Sequence, residues 1–359
     1  MEKNWKDKIS TPALIIDYDN MKRNIETMAK FAKDNNVNLR PHVKTHKCPI
    51  IGKMQLEAGA RGICVARVGE AEVFAKNGFN DILIANEVVE LSQIERLIAL
   101  NKDLLVRVCV DSQKNILELN HAASKKNVIL EVLLEIDIGL GRNGVKPGIE
   151  ALRLANKINR QSNLKLVGLQ GYEGHLVSMK DKDLMKKQTE ECMKLLIDTR
   201  DLLNQNGHNI TYLTVGNTVT YKYSGEVEGI TELQPGTYIF NDWHYYQTSS
   251  EFKIGATVLG TINNNPGKRI YTTDVGLKAI SSDSGYAVLK KYPKTKMKVM
   301  TEEHSIIRAG PNDHFEIGQK VEFFPTHICT TVNLYDFFTV IKEEEIIGKW
   351  DILARGKNY

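Results

Sequence analysis

A chain of 359 residues, 42% hydrophobic and 26% charged, is long enough to bury a sizeable core and has the composition of an ordinary globular protein. Its formal net charge of +4 is spread along the chain, and no basic arm interleaved with aromatics points to nucleic acid. No apolar run reaches the roughly 18 residues of a membrane span. The polar start Met1-Glu2-Lys3-Asn4-Trp5-Lys6 lacks a signal-peptide core, and five scattered cysteines without a CxxC pair suit a reducing cytoplasm.

In chain order, Leu14-Ile15-Ile16 reads as a short strand after Thr11-Pro12, and Asp19 as the N-cap of a helix carrying Met21, Ile25 and Met28 on one face. Strands are expected at 37–41, 62–66, 81–85, 104–110, 128–137, 165–171, 211–215 and 232–239. Helical patterns such as Leu91-Ile94-Leu97-Ile98 and Leu184 to Leu203 lie between them. Several of the strands are continuous apolar runs, as parallel strands buried on both faces must be. Eight strands with intervening helices predict an α/β fold, a (β/α)8 TIM barrel. A doubly wound sheet fits less well, because no G-x-G-x-x-G turn follows an early strand. Beyond about residue 250 helical periodicity fades, and β-rich segments at 254–262, 268–275, 297–300 and 320–341 predict a second, mostly antiparallel β domain. The expected division is a barrel at 18–245 and a β domain made of 1–17 plus 246–359.

Chemistry in such a barrel gathers at the C-terminal strand ends. Just past the first strand comes Arg40-Pro41-His42-Val43-Lys44-Thr45-His46-Lys47, in which the cationic neighbours Arg40, His46 and Lys47 would lower the pKa of a reactive Lys44. The other strand ends carry the Asp137 to Gly144 loop with Arg142, Gln170-Gly171-Tyr172-Glu173-Gly174-His175, Gly216-Asn217-Thr218, and Gln234-Pro235-Gly236-Thr237. Glycine and threonine after the last two strands suit an anion cradle, and a lysine sharing that end suggests a pyridoxal phosphate Schiff base. Each segment alone also reads as a solvated loop or a plain turn. In the β domain, His327 and Cys329 stand two apart; on a strand they would share a face and could hold zinc. A buried cysteine beside a hydrogen-bonded histidine is the simpler alternative.

Taken together, Arg40 to Lys47, Gly139 to Gly144, Gly168 to His175, Thr231 to Tyr238, Asp274-Val275-Gly276-Leu277-Lys278, Glu302-Glu303-His304 and Pro325 to Thr330 resemble the D-threonine aldolase/D-serine dehydratase family, whose members share the alanine-racemase-type fold. The resemblance implies that Lys44 carries pyridoxal 5'-phosphate and that Lys47 is a solvated neighbour. It further implies that Arg142 faces the ring or its 3′ oxygen, that Gln170 and Tyr172 belong to the cofactor site, and that Gly216, Asn217, Thr218, Gly236 and Thr237 hold the phosphate. A divalent metal, zinc by its ligands, is implied at His327 and Cys329. The cysteine, where aldolases carry aspartate, favours β-elimination from a 3-hydroxy D-amino acid such as D-serine, giving an oxo acid and ammonia. Retro-aldol cleavage, with His175 as helper, is the alternative; an amino-acid racemase and a non-catalytic cofactor carrier are further ones. A homodimer acting on small-molecule D-amino acids in the cytoplasm, with neither nucleic acid nor membrane as partner, completes the expectation. One departure is visible: the family's Gly-Gly-Thr-Gly-Thr run reads Gly216-Asn217-Thr218-Val219-Thr220 here, and Val219 does not tolerate a left-handed backbone.

Overall fold

The computed structural model describes residues 5–359, so the polar start over residues 1–4 lies outside the described residues. The chain forms two compact units, one of Met28–Lys44, Ile51–Gly236 and Lys357–Tyr359, the other of residues up to Thr27 with Thr45–Ile50 and Thr237–Gly356. Strand β1 (Ala13–Asp17) leads into helix α1 (Tyr18–Asp34). The cap of α1 is Asp17, not Asp19: its carboxylate accepts from Asn20 N at 3.0 Å and Asn20 Nδ2 at 2.8 Å. Asp19 already sits inside the first turn, where a negative charge favours the helix dipole.

The first unit contains strands β2 (Asn38–Leu39), β3 (Ile63–Val65), β4 (Asp81–Glu87), β5 (Leu105–Val110), β6 (Leu130–Ile136), β7 (Leu164–Gly171), β8 (Tyr212–Val215) and β9 (Glu232–Leu233). Helices α2 (Pro49–Glu57), α3 (Val68–Lys76), α4 (Leu91–Leu100), α5 (Gln113–Lys125), α6 (Ile149–Asn159), α7 (Lys182–Gln205) and α8 (Tyr221–Gly225) alternate with them. Every pairing is parallel, in the order β2-β9-β8-β7-β6-β5-β4-β3. A parallel bridge between His42 and Cys64 joins the two free ends, which makes the sheet a barrel. The last strand stops at Leu233 rather than 239, because Pro235 donates no ladder hydrogen bond and a 3-10 turn, Thr237–Ile239, follows.

Near the starts of β4, β6 and β9 lies a buried ion cluster. Arg40, fully buried, donates to Glu232 Oε1 and to Asp81 Oδ1, both at 2.8 Å, and Arg107 donates to Asp81 and Glu131. The expectation that Arg40 acts on Lys44 as a bare neighbouring charge is therefore corrected: two carboxylates neutralise it locally, and its role is to fasten β2 to β4 and β9.

In the second unit α9 (Trp243–Tyr246) is followed by β10 (Ala256–Gly267), β11 (Ile270–Thr273), β12 (Val288–Leu289), β13 (Lys296–Met300), β14 (Ser305–Arg308), β15 (Lys320–Phe324), α10 (Ile328–Val332), β16 (Phe337–Lys342) and β17 (Glu345–Asp351). Their sheet runs β13-β14-β11-β10-β1-β16-β17, with β15 against β10 and β12; it is antiparallel except for the β1–β16 pair. Val258, Phe323, Phe338 and Val340 are buried in this unit. Among the described residues no helix is long and apolar enough to cross a membrane.

Candidate active site

The barrel unit contributes a continuous polar layer at the C-terminal strand ends. Lys44 sits in a 3-10 turn, Val43–Thr45, that follows β2. The side chain is half-buried, and among the described residues its amine has no hydrogen-bond or carboxylate partner. Its charge falls on the Cys64 thiol, whose pKa burial pushes far up despite that attraction. Cys64 Sγ in turn donates to Gln234 Oε1 at 3.2 Å. Gln234 Nε2 donates to Gln170 Oε1 at 3.0 Å and to Thr214 Oγ1 at 2.7 Å, and Gln170 Nε2 donates to Glu135 Oε2 at 2.9 Å. Glu135 lies within hydrogen-bonding reach of Glu87, the last residue of β4, and Asn143 Nδ2 donates to Glu87 Oε2. Burial first, and the facing Glu87 carboxylate second, push Glu135 up to about 8. Glu87 is raised too, by burial and then by Asp111. Two such carboxyls in contact hold a proton between them at neutral pH.

The loop after β6 is tied down at both ends. Asp137 Oδ1 accepts from Gly139 N at 3.1 Å and Gly141 N at 2.9 Å, while Gly144 N donates to Asp111. Gly144 has φ 98°, and a Cβ there would lie 2.6 Å from Asp137 N, so no other residue fits. The exposed Arg142 guanidinium stacks 5.3 Å from the centre of the Tyr172 ring. His175 is exposed and is placed against Gly139, with its Nε2 3.9 Å from Cys192 Sγ.

After β8 only Gly216 has a positive φ, 96°; Asn217 and Val219 do not, so the departure from the family run strains nothing. Asn217 Oδ1 accepts from Val219 N at 2.8 Å and Thr220 N at 3.2 Å. The buried carboxylate of Glu173 accepts from Gly216 N, Thr220 Oγ1 and Ser224 Oγ. Side chains thus shape this loop where glycines would otherwise do so. Thr218 is buried alongside; Gly236 ends the barrel segment, and Thr237, the next residue, opens the 3-10 turn.

In the β unit His327 and Cys329 do come together, but not on a strand. Pro325 ends β15, His327 is the N-cap of α10, and Cys329 lies in its first turn. Side chains two apart meet here because the chain curls at the cap, not because a pleat alternates. The imidazole and the thiol are within hydrogen-bonding reach, and that contact first, with burial opposing it and Asp283 adding to it, pushes His327 up to about 9. Asp283 Oδ2 lies 2.6 Å from His327 Nδ1. Burial raises the Asp283 carboxyl, but hydrogen bonds from Ser281, His327 and Thr330 outweigh it and hold the group below the usual carboxylate range. Cys329 Sγ is 3.3 Å from Thr45 Oγ1, and the buried Asp242 carboxylate accepts from Ile328 N at 3.1 Å. Lys47 is not solvated as expected: it is 6% exposed and donates to Asn333 Oδ1 at 3.0 Å, tied down by the C-cap of α10.

Both donor sets suit the groups that the motifs imply. An amine without a partner at a barrel strand end can condense with an aldehyde. An imidazole whose Nδ1 is engaged by a carboxylate leaves Nε2 available to a soft divalent ion, with a thiol within hydrogen-bonding reach of the ring. Among the described residues no group of three or more His, Cys, Asp or Glu is placed to hold an ion. Sequence reading missed Asp283, Glu135 and Glu87. A glutamate within Leu130-Glu131-Val132-Leu133-Leu134-Glu135-Ile136 was the available signal, since a buried strand does not carry a carboxylate without a purpose.

This is a barrel-plus-β-sheet enzyme architecture. Residues 16–242 match the alanine racemase N-terminal domain and residues 255–341 the putative serine dehydratase domain. The chain is 30% identical to a D-threonine aldolase of Arthrobacter sp over 97% of its own length and 93% of that protein's. It is 25% identical to a D-threo-3-hydroxyaspartate dehydratase of Delftia sp., covering 96% of this chain and 97% of that one. The crystal structure of a D-threonine aldolase from Filomicrobium marinum superposes with a TM-score of 0.95 at 32% identity, covering 98% of this chain and 97% of that one. The chain belongs to the family that these two domains define, with an alanine racemase N-terminal domain followed by a serine dehydratase-type domain.

Proposed function

We propose that the protein is a lyase of 3-hydroxy D-amino acids that carries pyridoxal 5'-phosphate on Lys44 and a divalent ion, zinc by its ligands, on His327 and Cys329. The first reading is β-elimination of the D-serine dehydratase kind, giving an oxo acid and ammonia. The bound coenzyme supplies an electron sink for charge developing at Cα, and the ion supplies a Lewis acid for the 3-hydroxyl. The chain's own residues do the rest. Lys44 would take the Cα proton, and an amine without a partner among the described residues suits that role. Arg142 and Tyr172 form one side of the ring's seat, and Gln170 is held in one orientation by Glu135 and Gln234. Gly216, Asn217, Thr218, Gly236 and Thr237 take the phosphate. His327 and Cys329 would hold the ion.

The observation that carries elimination is the thiol of Cys329 beside the His327 imidazole, a strongly donating pair suited to zinc. Retro-aldol cleavage to glycine and an aldehyde is the second reading, supported by 30% identity to a relative named as an aldolase. Incubating the loaded enzyme with D-serine and D-threonine separates them. Pyruvate, 2-oxobutanoate and ammonia support elimination; glycine and acetaldehyde support the aldolase; racemised substrate, or no turnover, overturns both. A homodimer in the cytoplasm belongs to the same reading, and five free cysteines are consistent with a reducing compartment.

A further inference from the structure

The segment Ser281-Ser282-Asp283-Ser284-Gly285 has no role in the reading above, yet it is fastened to the stretch bearing His327 and Cys329 at three points. Ser281 N donates to Thr331 Oγ1 at 3.2 Å, Thr326 Oγ1 donates to Gly285 O at 2.7 Å, and Asp283 reaches the ring itself. Between these latches, Asp283 Oδ1 accepts from Ser281 Oγ at 2.6 Å and from Thr330 Oγ1 at 3.1 Å. One carboxylate oxygen is thus spent on fixing the carboxylate, and the other faces His327 Nδ1 at 2.6 Å. We infer that Asp283 is a positioning residue for the ion: it holds the His327 ring with Nδ1–H toward the carboxylate, which leaves the Nε2 lone pair for the ion.

The geometry separates this role from direct ligation. The two ring nitrogens of an imidazole point in diverging directions, so a carboxylate bonded to Nδ1 cannot share an ion held on Nε2. What it can do is select the tautomer, stop the ring rotating, and raise the donor strength of Nε2. Each consequence strengthens ion binding without touching substrate. The inference rests on the assignment of His327 and Cys329 as ligands, and its test is chosen so that the two can fail separately.

Zinc affinity is measured on the coenzyme-loaded enzyme by competition with a chromophoric chelator, for wild type, H327A, D283A and D283N. The coenzyme's absorbance and the melting temperature are followed in parallel. Removing such a carboxylate partner costs about 10- to 100-fold in metal affinity. D283A is expected at the upper end of that range. D283N keeps an oxygen acceptor for Nδ1–H but loses the charge, so it is expected to recover part of the affinity, with coenzyme absorbance unchanged in both. Wild-type zinc affinity in both D283A and D283N, with H327A impaired, overturns the positioning role and leaves the ligand assignment standing. Equal affinity in wild type and H327A overturns the assignment itself. Should D283A fold poorly, the near-isosteric D283N decides: a loss of affinity at an unchanged melting temperature supports the inference, and no loss overturns it.

Discussion

The side-chain amide of Gln170 donates to Glu135 at 2.9 Å, and this contact sets the polarity of a hydrogen-bonded row that ends at Cys64. With the shared proton of Glu135 held toward Glu87, the oxygen facing Gln170 accepts, so Gln170 presents its NH2 to Glu135 and its carbonyl to Gln234. Gln234 must then offer its own carbonyl to the Cys64 thiol. Amide orientations that are ordinarily ambiguous are fixed by one acid.

That acid gives the first prediction. Glu135 titrates near 4.5 when unfolded and at about 8 when folded, so the native state binds the extra proton between those values. Stability contributed by the protonated group is complete below pH 4.5 and is lost as pH rises through 8. Glu135→Gln should flatten the decline in melting temperature between pH 6 and 9. An unchanged slope would remove the shared proton from the account.

The buried ion cluster gives the second. Arg40→Met strips Glu232 of its cationic partner and leaves Asp81 with Arg107 alone, while keeping bulk; leaving the buried Glu232 carboxylate uncompensated costs about 3–5 kcal/mol. Urea unfolding should show that loss with the coenzyme's absorbance per folded molecule intact. A loss of coenzyme binding without a loss of stability would instead make Arg40 part of the site.

A third concerns the loop after β8. Asn217→Ala removes the acceptor of two backbone N–H groups, at about 1–3 kcal/mol for donors left unsatisfied where they are buried. Dissociation of pyridoxal phosphate, followed by absorbance on dilution, should become at least several-fold faster. Asn217→Asp keeps the acceptor but adds a negative charge, so it should preserve stability and still weaken phosphate binding.

Gly144→Ala is the fourth. With φ at 98° and Asp137 N in the way, the loop cannot keep its course, and Arg142 would leave Tyr172. Turnover with D-serine should fall at least about tenfold while the melting temperature drops only modestly, as expected for an exposed loop. Wild-type turnover would show that Arg142 does not depend on this turn.

Much of the fold was legible because period and composition act locally. Continuous apolar runs such as Ile82-Leu83-Ile84 pointed to parallel strands, and eight of them alternating with helices, without a G-x-G-x-x-G turn, favoured a barrel over a doubly wound sheet. The fading of helical periodicity near residue 250 marked the onset of the β-rich part. Legibility failed where an outcome depended on partners far along the chain. Lys47 reads as a surface charge until Asn333 arrives to cover it, and Arg40 as a site cation until Asp81 and Glu232 neutralise it. The His327–Cys329 pair was visible from spacing, but the strand invoked to explain it was not there; Pro325 and the cap position of His327 were the signals to read. Asp283 had no signal beyond a serine-rich turn, since its meaning lies entirely in the histidine 44 residues away.

The most direct test of the central claim is to reduce the coenzyme-loaded protein with borohydride, digest it and map the modified lysine by mass. The account predicts one phosphopyridoxyl group per chain, on Lys44, with none in Lys44→Ala. A label on Lys47 or any other lysine, or no label at all, would contradict it.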